Sequence, residues 1–252
     1  MITVRNLTKT YGTATVVRDV TFDISKGGIT SIIGPNGAGK STLLGLISRL
    51  IPATSGTVAV DDLNVARGSS DELARRLSIL RQDNHITARL TVRDLVAFGR
   101  FPHSKGRLTE GDQERISQSI SYMDLDDLSD RFLDEMSGGQ RQRAFVAMAL
   151  CQDTDYVLLD EPLNNLDMAH ATGMMKLVRR IADEHRKTFV LVLHDINYAS
   201  IYSDDIIAMR DGAVVHHGPP SSILQKSVLH DIFGVDISVH DIDGQKFGIY
   251  HI

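Results

Sequence analysis

Gly34-Pro35-Asn36-Gly37-Ala38-Gly39-Lys40-Ser41-Thr42 decides the fold through what stands on either side of it. Before it, Ile29-Thr30-Ser31-Ile32-Ile33 reads as a strand; after it, Leu43, Leu44, Leu46, Ile47 and Leu50 recur at helical spacing until Pro52. Strand, glycine-rich turn and helix is the setting that makes this pattern a phosphate-binding loop. The glycines let the backbone turn with its N–H groups inward, and the helix N-terminus adds the positive end of a dipole. Lys40 supplies a point charge, and Ser41 offers a hydroxyl suited to magnesium.

Upstream of the loop, Ile2 and Val4, then Val20, Phe22 and Ile24, alternate with polar residues, as in an antiparallel sheet with one wet face. From about Asp83 to Gln152 the periodicity is helical instead. Val92, Leu95 and Val96 repeat at three and four, as do Ile116, Ile120 and Met123 behind a capping box at Thr109 and Asp112. Sheet character returns with Tyr156-Val157-Leu158-Leu159 and with Phe189-Val190-Leu191-Val192-Leu193, continuous apolar runs typical of parallel strands covered on both faces. A crossover helix is expected between them, at about Ala169 to His185, and Arg210-Asp211-Gly212 marks a later hairpin. The tail after Val228 ends in a strand-like stretch.

Three further places carry chemistry. Asp160-Glu161 closes the first apolar strand: Asp160 is suited to Mg2+, and Glu161 to orienting an attacking water. His194 closes the next strand in the same way, so the loop, the carboxylates and the histidine are expected at the carboxyl edge of one sheet, where open α/β sheets bind ligands. Ser137-Gly138-Gly139-Gln140 opens a good helix and makes a second anion-suited N-terminus. Two phosphate-type sites in one chain are reconciled by a head-to-tail homodimer, each copy's serine facing its twin's glycine loop.

Composition narrows the partners. With 27 basic against 32 acidic residues the net charge is −5, so nucleic acid is not an expected partner. Cys151 is the only cysteine, which excludes an intrachain disulfide; the chain opens without a basic-then-apolar leader, and the expectation is the cytosol. No apolar run approaches the roughly 18 residues of a membrane-spanning helix. His216 and His217 neighbour each other on a hairpin strand, so their side chains point to opposite faces and do not share one metal.

The order of phosphate loop, Gln82, Ser137 to Gln140, Asp160-Glu161, Asp167 and His194 resembles the nucleotide-binding subunit of ABC transporters over essentially the whole chain. That resemblance implies an α/β fold: a P-loop NTPase core of parallel sheet flanked by helices, an N-terminal antiparallel β subdomain, and a helical subdomain inserted at about 83–152. It further implies a single ABC ATPase domain over 1–252, with 228–252 as a C-terminal extension. ATP and Mg2+ are the implied ligands. Gln82 would sense magnesium and nucleotide, Asp167 would stand at the dimer seam, and Tyr11 would stack on adenine, as an aromatic face can. Kinase chemistry gives no reason for Ser137 to Gln140.

Two departures stand out: Met136 where the family usually has Leu, and Leu163-Asn164-Asn165 where a Thr-Ser-Ala type of sequence is more common. Met keeps the volume and apolarity of Leu; the Asn pair bears on how the seam communicates. The tract from Leu90 to Ser104 is amphipathic and ends in aromatics and Arg, so Phe98 and Phe101 either line a docking groove or fill the lobe's core. It resembles ATPase subunits of iron-siderophore, haem and vitamin B12 importers, and the stretch from Gln82 through Gly106, with Leu163-Asn164-Asn165-Leu166-Asp167, is most similar to the ferric catecholate siderophore branch. This implies integral membrane permease partners, an indirect link to a substrate-binding lipoprotein, and a place on the cytoplasmic face of the membrane. A haem or vitamin B12 importer ATPase, or a soluble ABC ATPase of iron–sulfur assembly, is the alternative.

Overall fold

The computed structural model describes residues 1–82, 86, 88–164 and 166–250. The lobe boundary at Asp83, Asn165 of the variant stretch and the terminal His251-Ile252 lie outside these residues. In chain order the elements are β1 (Ile2–Tyr11), β2 (Ala14–Ile24), β3 (Gly28–Ile33), α1 (Lys40–Ile47), β4 (Ser55–Val60), β5 (Leu63–Asn64), α2 (Ser70–Arg76), β6 (Leu77–Leu80) and α3 (Val92–Phe98). Then follow α4 (Phe101–Ser104), α5 (Glu110–Tyr122), α6 (Gly138–Cys151), β7 (Tyr156–Asp160), α7 (Met168–His185), β8 (Thr188–Val192) and α8 (Ile196–Tyr202). The chain continues through β9 (Asp205–Arg210), β10 (Ala213–Gly218), α9 (Pro220–Ile223), α10 (Lys226–Phe233), β11 (Ser238–Ile242) and β12 (Gln245–Ile249). They group into two compact units, Met1–Gly68 with Thr188–Ile252, and Ser69–Lys187.

The first unit holds two sheets and a separate hairpin. β2, β1, β4 and β5 form the antiparallel sheet that the N-terminal alternation implies, with Ile2, Val4, Leu7, Val20, Phe22 and Ile24 all buried. β3 pairs in parallel with β8 on one side and β9 on the other, and β10 returns antiparallel along β9. Ile29, Ile32, Ile33 and Phe189 to Leu193 are buried, in keeping with strands covered on both faces. α1 is shorter than the leucine spacing implies. It ends at Ile47, because the Ser48 hydroxyl donates back to the Leu44 and Gly45 carbonyls and Arg49 takes a positive φ of 62°. Leu50 is consequently exposed.

The second unit is mainly helical. β6 and β7 pair in parallel, with Leu80 opposite Leu159. α7 buries Ala171, Met174, Met175, Val178, Ile181 and Ala182, a stripe at three and four. The capping box at Thr109 and Asp112 is formed, and Asp112 does more than cap. Its Oδ2 accepts from the Thr109 N–H at 2.9 Å, while its Oδ1 accepts from Arg100 Nε at 2.8 Å in a buried ion pair. Arg100 also donates to the Cys151 carbonyl at 2.9 Å, so one guanidinium joins the ends of α3, α5 and α6. The Cys151 thiol is buried, and burial pushes it up to about 11.

The Thr109 backbone bond and then Arg100 lower the Asp112 carboxyl from 3.8 to about 2. A carboxyl lowered on folding stabilises above its unfolded value and loses that contribution as pH falls through its folded value. Asp112→Ala, which leaves Arg100 buried without its partner, is expected to lower unfolding free energy by about 3 kcal/mol at pH 7. Urea unfolding should show the gap between parent and variant steady down to about pH 5 and shrinking as pH falls from about 4 toward 2.

Candidate active site

In the first unit, β3 delivers the chain to Gly34, whose φ is 143° and where an added Cβ would lie 2.1 Å from the Met209 carbonyl oxygen. Gly37 and Gly39 also have positive φ, 79° and 96°, and a Cβ on Gly39 would meet the Val16 carbonyl oxygen at 2.6 Å. The loop thus lies on the backbones of β9 and β2. The Gly212 N–H donates to Ala38 O at 3.2 Å, and the Arg18 N–H donates to Gly212 O at 2.7 Å. Lys40 opens α1, and its ammonium donates to the Gly34 and Pro35 carbonyls at 2.9 and 3.0 Å. Asn36, Gly37 and Ser41 are exposed, Thr42 partly so.

His194 belongs to the same edge. Ile32 on β3 lies opposite Val192 on β8, so Gly34 and His194 each stand two residues beyond paired positions of neighbouring parallel strands. Its side chain is exposed. Tyr11, at the end of β1, is 50% exposed with the Lys9 ammonium 4.6 Å from its ring centroid, so one ring face already carries a cation.

The second unit repeats this arrangement at β6 and β7. Gln82 and Glu161 each stand two residues past the paired Leu80 and Leu159, and Gln82 Nε2 donates to Glu161 Oε2 at 2.7 Å. Asp160 and Glu161 are both buried, and Glu161 has a positive φ of 53°. Asn164 Nδ2 donates to the same Oε2 at 2.5 Å, so two amides orient one carboxylate. Sequence reasoning assigned Asn164 to the seam and missed this bond. The available signal was an amide three residues past a carboxylate, within reach across a tight turn.

Ser137 caps α6: its hydroxyl accepts the Gln140 N–H at 3.2 Å, and Gln140 Oε1 accepts the Ser137 N–H at 3.0 Å. The Ser137 and Gly138 end of this helix is exposed, while Gly139 and Gln140 are partly covered. Asp167 caps α7, accepting from the His170 N–H and lying 2.8 Å from the His170 ring. The backbone bond first, then the ring, hold its carboxyl below the ordinary carboxylate range.

The ABC transporter profile matches residues 17–164, which includes the glycine loop, Ser137 to Gln140 and Asp160-Glu161. The chain belongs to the ABC transporter family. It is 53% identical to the petrobactin import ATP-binding protein YclP of Bacillus subtilis, over 99% of each chain. It is 39% identical to the ferric enterobactin transport ATP-binding protein FepC of Escherichia coli, over 93% of this chain and 88% of that one. A dimeric ATP-binding cassette solved in a post-hydrolysis state with ADP and Pi superposes with a TM-score of 0.79 at 28% identity, over 87% of this chain and 99% of the other. As an ABC protein the chain is an ATP-binding subunit and an ATPase, with the mixed α/β fold its sequence implies.

The Gly34 seat has a direct test. Gly34→Ala is expected to lose most binding of a fluorescent ATP analogue, because the methyl cannot clear the Met209 carbonyl without moving the loop. Binding at parental affinity would show that the seat is not rigid.

Proposed function

We propose that this chain hydrolyses ATP to drive uptake of an iron-siderophore across the cytoplasmic membrane, as a homodimer bound to integral membrane permease subunits. The observation that carries the cargo assignment is the 53% identity, over 99% of both chains, to a petrobactin import ATP-binding protein. Ferric enterobactin and iron(3+)-hydroxamate relatives support the same class. Among the described residues no helix is long and apolar enough to cross a membrane. The importer relatives support a place on the cytoplasmic face of the membrane, reached through the permease. A substrate-binding lipoprotein would deliver the siderophore to that permease.

The residues divide the chemistry. The N–H groups of the Gly34 to Thr42 loop cradle the phosphates, and Lys40 adds a point charge. Ser41, Asp160 and Gln82 are the oxygen donors assigned to Mg2+, a set suited to a hard cation that would neutralise charge on the phosphates. Glu161, oriented by two amides, aligns the attacking water. His194 hydrogen-bonds the γ-phosphate or that water. Ser137 and the N–H groups behind it approach the γ-phosphate from the twin subunit, Asp167 lies at the seam, and Tyr11 stacks on adenine.

Phe98 and Phe101 give the docking reading its support. They are 53% and 57% exposed, so they do not fill the core, and the Lys105 ammonium lies 5.9 Å from the Phe101 ring. Two exposed aromatics, one of them beside a cation, suit an amphipathic permease segment.

Lys40→Ala is expected to abolish nucleotide binding, and Glu161→Gln to slow hydrolysis by about 100-fold or more while retaining an ATP-bound dimer on size-exclusion chromatography. Parental turnover in Glu161→Gln would remove Glu161 from its role. Phe98→Ser with Phe101→Ser should abolish copurification of a multispanning permease and leave soluble ATPase activity within about twofold of the parent. Copurification of soluble scaffold proteins in place of a permease would refute the importer assignment.

A further inference from the structure

The C-terminal hairpin, β11 with β12, is a two-stranded sheet of its own, an element only marginally stable without a partner. Its partner is α8, the helix that begins two residues after His194. Asp195 caps α8 by accepting the Asn197 N–H at 2.7 Å, and the helix buries only Ile196 and Ala199 along its seven residues. Asn197 then pairs with β12 as a neighbouring strand would. Its Nδ2 donates to the Gly248 carbonyl at 3.2 Å, and its Oδ1 accepts the Gly248 N–H at 2.8 Å.

One turn along, the Ser200 hydroxyl donates to the Lys246 carbonyl at 2.7 Å. Position 248 has no room to spare: an added Cβ would lie 3.1 Å from Ile237 Cγ2 and 3.3 Å from Ile196 Cγ2. Lys246 Nζ extends the attachment to the Ser221 carbonyl in α9, at 3.2 Å.

His194 therefore sits between two anchors. On one side β8 is paired with β3, and the Leu193 N–H donates to Ile32 O at 3.1 Å. On the other side α8 is held by the hairpin. We propose that the C-terminal hairpin braces His194 for hydrolysis, with Asn197 as the positioning residue that transmits the brace through the start of α8. The inference rests on the reading of His194 as the group that meets the γ-phosphate or the water. Loosening the brace lets the start of α8 shift and carries the ring from its place. The glycine loop is seated on β9 and β2 instead, so nucleotide affinity is untouched while rate falls.

The test compares full-length Asn197→Ala, Asn197→Asp, Ser200→Ala and His194→Ala by steady-state ATPase kinetics and by the His194 ring resonance, assigned through its disappearance in His194→Ala. Asn197→Ala should lower kcat about tenfold with KM for ATP within about twofold, and should shift the His194 resonance. Asn197→Asp keeps the acceptor for the Gly248 N–H and should recover part of the rate. Ser200→Ala, one turn further from His194, should have the smaller effect. Should Asn197→Ala fail to fold, Asn197→Asp and Ser200→Ala carry the same comparison on both readouts. Parental kcat and an unmoved resonance in Asn197→Ala, beside an inactive His194→Ala, would overturn the brace alone. Parental turnover in His194→Ala would overturn the reading of His194 and the brace with it.

Discussion

Backbone lying directly on backbone is the constraint on which the nucleotide loop depends. Gly34 meets the Met209 carbonyl and Gly39 the Val16 carbonyl at distances that admit no side chain. These contacts bring strands from two sheets to one turn: β9 follows β3 in parallel, and β2 comes from the antiparallel sheet. Gly212, in the β9 to β10 turn, completes the seat by hydrogen-bonding on both sides, to Ala38 and to Arg18. The glycines thus serve two purposes, a positive φ that lets the loop turn and closeness to the protein behind it.

In the second unit, side chains set the geometry. Glu161 leaves β7 with a positive φ, uncommon for a residue with a side chain and a feature that collects at functional sites. The amides of Gln82 and Asn164 fix where its carboxylate points. Arg100 acts similarly in the helical region, where one buried guanidinium serves a carboxylate and a carbonyl from different helices. A carboxylate that also closes a capping box gives that ion pair a fixed position, which long side chains on an open surface lack.

Much of this was legible in the sequence, and what was not has physical reasons. The loop, the strands read at 29–33, 156–159 and 189–193, and the helix at about 169–185 follow from patterns strong enough to survive context, and these strands and helix lie within a residue of β3, β7, β8 and α7. β6 was not anticipated: Leu77-Ser78-Ile79-Leu80 is four residues long and lies between Arg76 and Arg81, too short for periodicity to register. α1 stopped early because of a side-chain-to-backbone bond at Ser48, which no apolar spacing reveals. Asn164 and Asn197 were missed for different reasons. Asn164 works locally, on a carboxylate three residues back across a turn, whereas Asn197 works on a strand 51 residues away that only tertiary geometry brings near.

The state of Cys151 has a practical consequence. The molecule's single native sulfhydryl lies against α5 and Arg100 with its proton firmly held, so at neutral pH it offers little thiolate for alkylation or oxidation. A spectroscopic reporter attached through a cysteine introduced at a solvent-facing position, such as Met168 at 85% exposure, would therefore label one place without prior removal of the native residue.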